Sequence, residues 1–123
     1  MSKLLFLLLM LPSVAFAQTA IELEDLEAKK SKGITVVEFW AGWNASNKVS
    51  FLEQLKDCRA YRMCIDTHPS AVGQYSISSV PTLVVFDNGA EVLRFNPTIM
   101  MQLAATKEEI QSEIDDIILK KFQ

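Results

Sequence analysis

The two thiols and the one imidazole of this 123-residue chain fall between positions 58 and 68, and a carboxylate at 38 interrupts an apolar run. Cys58 and Cys64 are the only thiols, and His68 is the only imidazole. An even thiol count would suit a disulfide in an exported chain. The spacing argues against it. If Arg59 to Ile65 is a strand, it holds the two α-carbons ~20 Å apart, whereas a disulfide needs them within ~7 Å. No disulfide is therefore expected, and Cys58 and Cys64 read as apolar fillers. Cys64, Asp66 and His68 alternate, but residues leaving a strand rarely converge, so no metal site is expected. His68, beside Pro69, reads as a loop residue.

Glu38 lies inside the most apolar strand-like run, Ile34 to Trp40. A buried carboxylate is costly unless paired, and burial should raise its pKa. Lys48 or water is its candidate partner. Just beyond, Trp43-Asn44-Ala45-Ser46-Asn47-Lys48 is rich in amide and hydroxyl side chains. Asn44, Ser46 and Asn47 are good helix-capping residues, able to satisfy the free amides that open a helix. They could instead hydrogen-bond a ligand peptide. Asn44-Ala45-Ser46 also matches a glycosylation pattern, to which no weight is given.

The run Val36 to Lys48 resembles the active-site segment of thioredoxins and protein disulfide isomerases, a strand followed by Trp-Cys-x-x-Cys-Lys. Asn44 and Asn47 stand where that pattern has its cysteines. Asparagine has no titratable proton and no nucleophilic sulfur, and disulfide exchange needs a thiolate. The resemblance therefore implies a degenerate active-site loop, Trp43 to Asn47, with no catalytic residue and no cofactor. A second mark is Ser79-Val80-Pro81-Thr82. In the family this proline is cis and faces the loop, and the backbone beside it pairs with an extended peptide. The resemblance implies a peptide-binding edge at Val80 and Pro81, with Trp43 as an apolar contact. It also places Glu38 where the family keeps a proton-moving carboxylate, here a structural relic. Trp40 is expected in the core.

The elements fit that reading. Thr19 and Glu22 suggest a capping box, and acidic residues early with lysines late predict a helix over 20–32. Ile34 to Trp40 predicts a strand buried on both faces. Phe51, Leu52 and Leu55 predict a clipped helix over 48–57. A strand over 59–65, a helical turn from His68-Pro69 to Tyr75 and a strand over 82–86 come next. Asp87-Asn88-Gly89 predicts a hairpin returning through 91–95. Thr106 and Glu109 form a second capping box, and Ile110, Ile114, Ile117, Ile118 and Phe122 make an apolar stripe. Helical crossovers imply parallel strands and the Asn-Gly turn one antiparallel pair. The expected fold is a thioredoxin-like three-layer α/β/α domain over 18–123. Its mixed four-stranded sheet would have three parallel strands and one antiparallel, and little room for a strand before the first helix.

Residues 1–17 read as a signal peptide: Lys3, the apolar run Leu4 to Leu11, and Ala15-Phe16-Ala17 before Gln18. The run is too short to span a bilayer, so no stable membrane anchor is expected. The formal charge of −3 is one unit more negative without Lys3. Scattered lysines and arginines exclude a nucleic-acid stripe. The expected function is a redox-inactive binding domain of the bacterial cell envelope, periplasmic or secreted. It would hold an extended polypeptide or partner protein as a chaperone or assembly factor. The alternatives are a divergent thiol-disulfide oxidoreductase using Cys58 or Cys64, and a purely architectural subunit.

Overall fold

A computed structural model describes residues 19–123, so the expected signal segment lies outside the described residues. Seven regular elements build the domain: α1 (Leu23–Lys29), β1 (Ile34–Trp40), β2 (Arg59–Cys64), α2 (Ser70–Gln74), β3 (Thr82–Asp87), β4 (Ala90–Phe95) and α3 (Lys107–Lys120). The four strands form one sheet in the order β2-β1-β3-β4. β1 is central, and its residues from Ile34 to Phe39 are buried on both faces, while Trp40 at its end is half-buried and not in the core. Alternate residues divide between two cores. Val37 and Phe39 pack with Leu26, Ala71 and Tyr75 on the face covered by α1 and α2. Ile34 and Val36 pack with Leu52, Ile110 and Ile114 on the α3 face.

The strand directions correct the sequence expectation. Only β1 and β2 pair in parallel, while β1–β3 and β3–β4 are antiparallel. Three parallel strands are not formed. A parallel return needs a crossover that carries the chain back along the strand. α2 has five residues, about 7.5 Å of helix, against about 20 Å for a six-residue strand. The chain therefore enters β3 at the end where β1 and β2 finish, with Phe39 opposite Thr82 and Trp40 opposite Cys64.

Three other elements differ from expectation. The first helix is shorter than 20–32, because Thr19 and Ile21 bond to the backbone of Arg62, at 2.7 and 3.0 Å. This makes a single parallel bridge at Ala20 on the edge of β2. Glu22 consequently does not cap; its carboxylate meets His68 Nε2 at 2.5 Å. The helix expected over 48–57 is reduced to a 3-10 turn at Leu52–Gln54. The backbone of this segment is claimed by side chains elsewhere. Glu38 accepts from Val49 N, Arg62 donates to Val49 O, and Gln111 bonds both N and O of Lys56. Phe122 leaves the apolar stripe, being past the end of α3 and 83% exposed.

The Asn88-Gly89 hairpin and the Thr106–Glu109 capping box form as the sequence predicts. Asn88 and Gly89 both take positive φ, 51° and 90°, as the tight turn requires. Asn88 also exchanges hydrogen bonds with Gly33, which fixes the hairpin against the start of β1.

Candidate functional site

Three loops meet at the end of the sheet where β1 and β2 finish and β3 begins. The first, Gly42–Asn47, is two 3-10 turns joined at a non-helical Asn44, and Lys48 leaves it extended. Its entry is fixed by Asp66, whose carboxylate accepts from Gly42 N at 2.6 Å. The second is Ser79 to Pro81, where the Val80–Pro81 bond is cis. The third is a small hairpin between β4 and α3, closed by Pro97 opposite Leu103 and by a hydrogen bond from Thr98 N to Gln102 O at 2.8 Å.

Asn44 joins all three. It is 7% exposed, and its Nδ2 donates to the carbonyls of Val80 at 2.9 Å and Met101 at 3.1 Å. Asn47 Nδ2 donates to Asn44 Oδ1 at 2.8 Å and to Met101 O at 3.2 Å. The capping expectation is thus corrected: neither asparagine caps, and no side chain caps this turn. With no α-helix to open, the amides serve carbonyls across the loops. The Asn44 amide, buried and fully engaged, is also closed to glycosylation.

The rim is apolar. Trp43 is 69% exposed, and the third loop presents Ile99 and Met100 at 94% and 71%. Met101 holds a φ of 58°, a left-handed conformation that costs about 1 kcal/mol or more away from glycine. Four donor contacts from two amides hold the Met101 turn and its neighbours in place. Ala45 and Ser46 complete the first loop without a side-chain bond among the described residues. Trp40 is half-buried, with Lys48 Nζ 4.3 Å above its ring.

Beneath the loop, Glu38 is fully buried. Its Oε2 accepts from Val49 N at 2.7 Å and its Oε1 from Arg62 Nε at 2.8 Å. Arg62 also reaches Glu53 and the Val49 carbonyl. The expected partner was Lys48 or water; the structure supplies Arg62, the register neighbour of Glu38 across the parallel pair. Burial raises the Glu38 carboxyl above its ordinary value, against the opposing pull of Val49 N–H and Arg62.

The thiols lie at opposite ends of β2 and are free. Cys58 packs against the α3-side core, and burial, aided by Asp57, pushes its thiol up to about 11. Cys64 Sγ lies 3.8 Å from Asp66. His68 is paired with Glu22. Among the described residues no three His, Cys, Asp or Glu side chains group as metal ligands, and no helix is long and apolar enough to cross a membrane.

Sequence reasoning missed Arg62 and the Met101 hairpin. For the first, the sequence offered only an arginine inside a strand-like run and a buried glutamate in need of a cation, with no register to join them. For the second, the signal was Asn96-Pro97 followed by Ile99-Met100-Met101, an apolar run outside any periodic element.

No family model matches the chain. Thioredoxin of Mycoplasma genitalium is 32% identical over 79 residues, spanning 59% of this chain and 76% of that protein. Thioredoxin of Staphylococcus epidermidis is 35% identical over 75 residues, 55% of this chain and 72% of its own. Among solved structures, a mutant thioredoxin from Halobacterium salinarum superposes with a TM-score of 0.64 at 18% identity, covering 80% of this chain and 88% of that one.

Proposed function

Because this chain belongs to the thioredoxin family, we propose that it is a redox-inactive member, which binds an extended polypeptide or a partner protein in the bacterial cell envelope. The observation that carries this reading is the site itself. Two asparagines occupy the loop facing Val80–Pro81, and an exposed apolar rim of Trp43, Ile99 and Met100 surrounds them. Nothing in the loop can attack sulfur. The rim offers contact area of the kind that marks an interaction surface. A chaperone or an assembly factor would use it so. The envelope location rests on the signal-like residues 1–17.

The alternative, a divergent oxidoreductase, must use Cys58 or Cys64. Cys58 is a poor nucleophile, since its raised pKa leaves almost no thiolate near neutrality. Cys64 has no second thiol within reach, because Cys58 stands at the other end of β2.

The test is a binding titration with reduced, carboxymethylated α-lactalbumin, an unfolded polypeptide without free thiols, alongside an insulin-reduction assay. The reading expects saturable binding, weakened about tenfold or more by Trp43→Ser with Ile99→Ser, and no reduction of insulin. Thiol-dependent turnover lost in Cys64→Ser would instead establish the oxidoreductase.

A further inference from the structure

The main-chain acceptor that a peptide backbone would pair with is already engaged from within, at a residue that is itself buried. An added strand needs a main-chain acceptor and donor to bond with. In this groove the Val80 carbonyl already accepts from Asn44 Nδ2 at 2.9 Å. The second hydrogen of the same amide goes to Met101 O at 3.1 Å, and its oxygen is held by Asn47 Nδ2 at 2.8 Å. Every polar group of the Asn44 side chain is therefore partnered, in a residue that is almost wholly buried.

We propose that Asn44 is a latch on the binding groove: its amide holds the Val80 carbonyl, and an extended polypeptide pairs there only after that amide has turned away. This rests on the polypeptide-binding reading above and adds the regulation of the same site. A peptide N–H that replaces Asn44 exchanges one hydrogen bond for another and strands a buried amide, so backbone pairing brings little net affinity while the latch is closed. Asn47 fixes the closed position by bonding Asn44 Oδ1. It also bonds the Met101 carbonyl, so the hairpin bearing Ile99 and Met100 is tied to the same clasp. Opening would free the Val80 edge and loosen the apolar rim together.

The experiment measures affinity for carboxymethylated α-lactalbumin in the wild-type chain, Asn44→Ala, Asn47→Ala and Thr106→Ala. The last loosens the domain at the start of α3, away from the clasp, and controls for general destabilisation. The latch predicts that Asn44→Ala binds about tenfold or more tightly than wild type, Asn47→Ala falls between them, and Thr106→Ala matches wild type. Backbone hydrogen exchange at Thr98 and Met101 should accelerate in both asparagine variants and not in Thr106→Ala. If wild type binds and Asn44→Ala binds no more tightly, or if Thr106→Ala gains as much, the latch is overturned while the binding reading stands. If no variant and not the wild type binds, both fall. Should Asn44→Ala fail to fold, Asn47→Ala decides, and an affinity equal to wild type overturns the latch.

Discussion

At the scale of single residues, the loop and the carboxylate beneath it are engaged in hydrogen bonds that tie the fold together. Asn44 and Asn47 spend their donors on Val80 and Met101. Glu38 spends its acceptors on Val49 N and Arg62. Breaking a buried ion pair from one side is costly, whereas the intact pair contributes little net stability. The raised carboxyl has a definite pH signature. A group whose folded pKa exceeds its unfolded value binds its proton more tightly in the folded chain. Its stabilising contribution is therefore full below the ordinary value of 4.5 and is lost as pH rises through the raised folded value. Glu27, Glu53 and Glu91 are lowered and act in the opposite sense, being stabilising above that value and losing the contribution as pH falls. Comparison with Glu38→Gln removes their common background. The stability of wild type relative to Glu38→Gln should decline as pH is raised from about 4 toward neutrality, measured by urea midpoints across that range. A difference that grows with pH would show that Arg62, not burial, controls the group. That Glu38 would be buried could be read from its place in an apolar strand; that Arg62 would pair with it depended on strand register.

At the scale of elements, the segment leaving the loop decides what the loop can do. Gly42–Asn47 is 3-10 and ends in an extended Lys48, so no helix macrodipole points at positions 44 and 47. An N-terminal dipole is one of the means by which a thiol is activated. Asn44→Cys with Asn47→Cys should therefore give a pair that oxidises, since the two side chains already touch. The first thiol, however, should keep a pKa near 8–9 and not the depressed value of an activated pair, as pH-dependent alkylation would reveal. A value below 7 would mean that a helix forms once the amides are gone. The second capping box makes a simpler case. Thr106 and Glu109 bond reciprocally, and Thr106→Ala should cost about 1 kcal/mol in denaturant unfolding. This box was legible because both partners lie within one turn. The Thr19–Glu22 box has the same local pattern and does not form, because Thr19 and Ile21 are drawn into bonds with Arg62.

At the scale of the whole molecule, the sheet divides two cores, and the α3 side depends on Ile110 and Ile114, both fully buried. Ile114→Ala should cost about 2–5 kcal/mol in a urea melt, while Phe122→Ala, at an exposed position, should change the midpoint little. Equal effects would mean that the apolar stripe packs along its full length. Residues such as Phe39 and Tyr75 tie the opposite face, with ring centroids 5.3 Å apart.

The sequence by itself determined the elements and their neighbours along the chain: the buried strand of β1, the Asn-Gly hairpin, the capped α3, and the absence of sulfur from the loop. Each rests on periodicity or on contacts a few residues apart, which local chemistry dictates. Only the tertiary structure decided that β3 would run against β1, that Arg62 would meet Glu38, and that Asn44 would bond Val80 and Met101, 36 and 57 residues away. Those depend on which ends of the sheet the connections bring together. Segment length constrains that choice, and the side-chain pattern along a strand does not encode it.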